Sequence, residues 1–308
     1  MKSAFGLALF CALVGSARAQ VGDASAAAAV SAPDSSADDS RVTLRQKTLA
    51  GNQGYWLTDT YVDASLPRGF DVNADFNAYQ DASSTMTTPT VTVGGSWTDG
   101  YATLFASYGL TGRANDLEAN STDVGATLKT PEEDFRTALT LDVNVTHQFI
   151  FGLGAAGKQF LFDMTERTPT VTLTQRFFDA LDASVALSQS SYNNLGELNL
   201  LGLNPRRRYV LSQNAALAGL VQGFPDWTAK YGLKYAFAAV PATLQASYET
   251  LQFANTTFAG THTSADVENY VGDYDVLKWL TLGVEYQHYR QTSQPAYDQY
   301  GGSLEVRF

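Results

Sequence analysis

The chain has a single cysteine, Cys11, and that one falls inside an apolar N-terminal run. Met1-Lys2-Ser3 gives a short positive start, Ala4 to Val14 the apolar stretch, and Ala17-Arg18-Ala19 a small-residue cleavage site. Residues 1–19 therefore read as a secretory leader, too short to persist as a spanning helix. Phe10 is bulky where lipoprotein processing wants a small residue, so Cys11 does not read as an acylation site. The mature chain is then cysteine-free, which excludes disulfides, thiol nucleophiles and cysteine-held zinc. Basic charge is also scarce. The formal charge is −11, and taking Lys2 and Arg18 away with the leader leaves 18 basic against 31 acidic residues, or −13. No nucleic-acid partner is expected of so acidic a chain. After the leader no apolar run reaches the length of a spanning helix. No GxSxG, HExxH, EF-hand or phosphate-cradling glycine-rich pattern occurs, so neither a cofactor nor a catalytic metal is expected.

What the chain does have is alternation and aromatic residues: 16 Tyr, 17 Phe and 4 Trp. Successive strand side chains point to opposite faces, so alternation of apolar and polar residues marks strands with one greasy and one wet side. Two stretches show it most clearly. Phe70, Val72, Ala74, Phe76 and Ala78 stand against Asp71, Asn73, Asp75 and Asn77, and Phe135 to Val145 stand against Arg136 to Thr146. Segments of this kind, each about ten residues long, recur from Arg41 to Phe308, a length that crosses a bilayer as a tilted strand. A soluble antiparallel sheet gives the same alternation. The mean hydropathy of −0.15 does not exclude lipid, because a barrel needs only half its strand residues to be apolar.

The spacing predicts an all-β fold, a transmembrane antiparallel up-and-down barrel of about 14 strands, within roughly 12–16. Val21 to Ser40 is Ala/Ser/Asp-rich and patternless, so residues 20–40 read as a disordered periplasmic tether before a barrel over 41–308. Short turns are expected at 67–69, 98–100, 130–134, 179–180, 240–241 and 275–278, all at one end, with longer connections at the other. Residues 151–167 read as a loop, and 193–226 as one long outer loop. That parity puts Trp97 and Trp279 at the periplasmic rim and Trp56 and Trp227 at the outer rim, as aromatic girdles.

Tyr297 to Phe308, reading YDQYGGSLEVRF, resembles the C-terminal signature of bacterial outer-membrane barrels. With the Tyr274-Asp275-Val276-Leu277-Lys278-Trp279 turn, the last fifty residues look like porin-type members of that superfamily. The resemblance implies residence in the outer membrane, contact with its lipid and lipopolysaccharide, and delivery by the barrel-assembly machinery through Phe308. It implies a passive channel for small solutes. An acidic inward-folded constriction loop is not recognisable, so trimerisation is not carried over and the oligomeric state stays open.

The inward set carries both signs of charge: Asp59, Asp63, Asp71, Asp75, Arg136, Asp142, Arg176, Lys230, Lys234, Glu249, Glu285 and Glu305. Either these line a water-filled pore or they pair across strands and fill it. Asp59, Asp63, Asp71 and Asp75 fall on adjacent strands, where like charges need water or cations. That makes a cation-attracting wall, with divalent-ion binding a further option. Arg206-Arg207-Arg208 offers an anion-attracting constriction, a lipopolysaccharide contact or a solvated turn. Two other readings stay open: a structural or adhesive barrel acting through its outer loops, and a barrel-wall hydrolase built on His147, His262 or His288.

Overall fold

The computed structural model describes residues 41–52, 55–80, 85–114, 117–131, 136–154, 157–178, 180–193, 225–253, 264–291 and 296–308. Residues 1–40, read above as leader and tether, and Arg206 to Arg208 lie outside them. So does most of the 193–226 stretch; its last residues belong to a strand.

Nearly every described residue is in a strand, and each strand but one short one pairs with the strands before and after it around the sheet. The first run is β1 (Arg41–Gly51), β2 (Tyr55–Leu66), β3 (Phe70–Gln80), β4 (Thr85–Asp99) and β5 (Ala102–Ala114). It continues through β6 (Leu117–Lys129), β7 (Thr137–Gly154), β8 (Gly157–Phe177) and β9 (Leu181–Gln189). A two-residue β10 (Ser191–Tyr192) follows, then β11 (Pro225–Ala236), β12 (Ala242–Phe253), β13 (Ser264–Leu277), β14 (Leu280–Gln291) and β15 (Tyr297–Arg307). All pairings are antiparallel, and β1 pairs with β15, so fourteen strands close into an up-and-down barrel. β9 passes directly to β11. The short β10 carries the line of β9 onward along β8, at Ser191↔Arg167 and Tyr192↔Glu166. Closure removes the free edges that a sheet of this size would otherwise expose.

The alternation sets the two faces. Large apolar side chains such as Val93, Leu104, Val124, Leu141, Leu173, Leu233, Leu244 and Val284 are exposed on the outside of the wall. The buried positions hold polar groups in equal measure, among them Lys47, Asp59, Asn77, Gln148, Glu166, Gln287 and Gln299. A water-soluble fold keeps its apolar side chains inside; this one shows them outward, in a band suited to lipid.

Short turns at one end join β2 to β3, β4 to β5, β6 to β7, β8 to β9, β11 to β12 and β13 to β14. Two sit slightly later than the composition suggested. β4 runs through Asp99, leaving Gly100-Tyr101 as the turn with Gly100 at φ +56°, and β13 runs through Leu277, leaving Lys278-Trp279. Residues 151–154 and 157–167 are strand rather than loop. β7 continues to Gly154 and β8 starts at Gly157, so these strands rise past their neighbours. Nor is the far end all long connections, since only two residues separate β5 from β6 and β7 from β8.

Candidate functional site

The inward face of β1 and β11 to β15 encloses a cavity of about 350 Å³. Lys230, Lys234, Glu249, Glu285 and Glu305 line it, together with Arg45, Lys47, Asp273, Asp275 and Arg307. Many of these charges are matched. Lys47 Nζ meets Glu285 Oε2 at 2.7 Å with both side chains nearly buried. Lys230 stands 3.8 Å from Glu249 directly across the β11–β12 ladder. Arg307 reaches Glu305 at 2.7 Å and Asp275 at 3.6 Å near the end where the short turns lie. Thr281 donates a hydrogen bond to Asp275.

The other half of the wall is more acidic. The β2–β3 register sets Asp59 opposite Asn77, Tyr61 opposite Asp75, Asp63 opposite Asn73 and Ser65 opposite Asp71. Strand pairing therefore brings all four aspartates onto one inward patch. Arg45 Nη2 lies 3.5 Å from Asp59 Oδ2, and its guanidinium sits 5.4 Å from the centre of the Tyr61 ring. On β6 and β7, Asp142 stands opposite Gly125, one inward step from Asp123 opposite Asn144. Arg176 holds Asp182 through two hydrogen bonds, at 2.7 and 3.0 Å, and its backbone N–H donates to the Arg136 carbonyl. Glu166 on β8 accepts from Gln148, Thr168 and Tyr192, which ties β10 to the inner wall. Among the described residues no three His, Cys, Asp or Glu side chains gather as a metal-holding group.

Toward the far end the inner face changes character. Leu251, Phe253, Ala265, Val267, Tyr289 and Tyr297 form a cluster of buried residues, with the Tyr289 and Tyr297 rings 6.2 Å apart. Sequence reasoning missed it, although parity contained it. Leu251 and Phe253 continue the inward set of Gln245, Ser247 and Glu249, and Tyr289 that of Glu285 and Gln287.

On the outside, Trp97 and Trp279 sit at the short-turn end, Trp56 and Trp227 at the far end, and all four are exposed. The Trp56 indole donates to Thr58 Oγ1, and that of Trp227 to Gln252 Oε1. The Phe308 ring is exposed, while its backbone exchanges hydrogen bonds with Val42 across the β1–β15 seam. His147 pairs with Thr165 at 3.0 Å and His288 with Asp298 at 2.8 Å, on separate strands far apart around the barrel; His262 lies outside the described residues.

No family model matches the chain, nor does any curated protein sequence. Solved structures similar to it include Pseudomonas aeruginosa OccK8 (OprE), at 10% identity and a TM-score of 0.48, covering 87% of this chain and 97% of that one. A loop L8 deletion mutant of OmpT, an outer membrane protein of Vibrio cholerae, is 12% identical with a TM-score of 0.48, over 88% and 98%. A BenF-like porin from Pseudomonas fluorescens Pf-5 is 14% identical with a TM-score of 0.42, over 87% and 98%.

Proposed function

We propose that the protein is a passive channel of the bacterial outer membrane, admitting small hydrophilic solutes through a net-acidic lumen. The observation that carries this reading is the inside-out wall: apolar side chains outward, and a charged cavity of about 350 Å³ within the closed barrel. Around fourteen strands leave more interior than side chains alone need to fill. Among the inward charges named above carboxylates outnumber cations, so the pore favours cations. Lipid and lipopolysaccharide surround it, Arg206-Arg207-Arg208 standing as a basic contact for phosphate, and Phe308 presents the last strand to the assembly machinery. The chain carries no chemistry of its own in this reading.

A second reading has one observation in its favour. Matched charge pairs and an apolar far-end cluster both stand on the inner face, where they can plug the lumen. A barrel filled in that way is a structural or adhesive element acting through its outer segments. Single-channel recording of the refolded mature chain in a planar bilayer, under a salt gradient, separates the two. Discrete openings with a cation-selective reversal potential are expected. A folded, heat-modifiable barrel that never opens would overturn the channel in favour of the filled barrel.

A further inference from the structure

We propose that the inner wall between β2 and β3 holds a hard divalent cation of the calcium–magnesium class, on the carboxylates of Asp59 and Asp75 and the amide oxygen of Asn77. The register sets Asp59 directly opposite Asn77, with Asp75 one inward step along β3. Asn77 Nδ2 donates to Asp75 Oδ2 at 2.7 Å, and the Asp75 carboxyl lies within hydrogen-bonding reach of that of Asp59. Two carboxyls and an amide thus share one spot on the wall. The Arg45 guanidinium approaches from one side, its Nη2 3.5 Å from Asp59 Oδ2. Lys47, opposite Asp59 in the β1–β2 register, has its ammonium engaged 2.7 Å from Glu285.

Three oxygens remain buried with no hydrogen-bond partner: Asp59 Oδ1, Asp75 Oδ1 and Asn77 Oδ1. Asp59 is 1% exposed and Asn77 0%, so bulk water does not serve them. Buried polar atoms without partners are costly, and three in one place point to a common one. A shared proton satisfies the carboxyls at most and does nothing for the amide oxygen. A hard cation is served by all three, because carboxylate and Asn carbonyl oxygens are its ordinary ligands and water completes its shell. The weight rests on Asn77: two neighbouring aspartates alone would call for nothing more than hydration, whereas a fully buried amide oxygen beside them asks for a ligand. The site does not depend on whether the barrel conducts.

The test uses the mature chain refolded in detergent free of lipopolysaccharide, stripped with EDTA and heated in steps, with folded and unfolded forms separated on a cold SDS gel. Millimolar calcium chloride should raise the midpoint by several degrees over sodium chloride of equal ionic strength. At a hundredfold excess over its Kd the folded-to-unfolded ratio should rise roughly 100-fold. Titration calorimetry should show one calcium ion per chain. Asp75→Asn, which keeps the Arg45–Asp59 pair, should abolish the calcium response, and in EDTA its midpoint should equal or exceed that of the unchanged chain because a repulsion has gone. Should that variant fail to refold, Asn77→Ser decides in its place, by losing or keeping the response. A calcium effect that survives either substitution, or one matched by sodium chloride alone, overturns the site.

Discussion

Leu141 and Thr140 are neighbours in β7 whose side chains leave on opposite faces, and their environments differ accordingly. Leu141 is 50% exposed on the apolar exterior, while the Thr140 hydroxyl lies 2.9 Å from that of Thr127 on the inward face. Both sit near the middle of the first ten residues of β7, the part that crosses lipid. Leu141→Arg is expected to destabilise the barrel by about 2–4 kcal/mol, the usual cost of a lipid-facing arginine near the bilayer midplane. Thr140→Arg gives up only a neutral hydroxyl pair, about 0.5–1.5 kcal/mol, and its guanidinium keeps water. Urea titration of barrels refolded into vesicles measures both. Equal losses at the two positions would reverse the assignment of faces.

At the scale of the element, the seam between β1 and β15 decides whether there is a barrel or an open sheet. Gly301 pairs with Leu49 there, and a methyl group on Gly301 would stand 2.8 Å from the Leu49 Cα and overlap the Thr48 carbonyl oxygen. Both obstacles are backbone and cannot turn aside, so only glycine fits. Gly301→Ala should part the seam, leave two unpaired edges and abolish the heat-modifiable form on a cold gel. Gly272→Ala should be far milder, because its methyl would meet only the side-chain ends of Leu244 and Val284, at 3.3 and 3.5 Å. A folded, heat-modifiable Gly301→Ala would show that the seam tolerates a wider spacing. Strands such as β3 and the first part of β7 were legible because apolar and polar residues alternate without a break. The tall ends of β7 and β8 were not. Phe149-Ile150-Phe151 and Phe160-Leu161-Phe162 are unbroken apolar runs among glycines, and the register shifts between Ile150 and Phe151. A two-fold period cannot be followed across such a slip.

For the molecule as a whole, parity along each strand put the charges on one face, yet it could not say which of them meet. The Lys47–Glu285 contact joins β1 to β14 across the intervening β15, a pairing that only the closed ring creates. Nor did the alternation show that the inner face turns apolar at its far end, since each strand contributes only one or two residues to that layer. In the proposed channel the cluster would bear on conduction, because apolar rings that narrow a wet passage also resist water. Tyr289 is its largest nearly fully buried member, at 1% exposure. If the channel narrows at this layer, Tyr289→Ala should raise the single-channel conductance of the refolded barrel, and Tyr289→Phe, which keeps the ring, should leave it unchanged. Cation preference should be the same in both variants, because the charges that set it stand elsewhere on the wall. An unchanged conductance in Tyr289→Ala would move the narrowest point to the level of Lys47 and Glu285, where the obstacle is a matched ion pair. Conductance there would respond to Glu285→Gln instead, so the two substitutions together locate the constriction along the lumen.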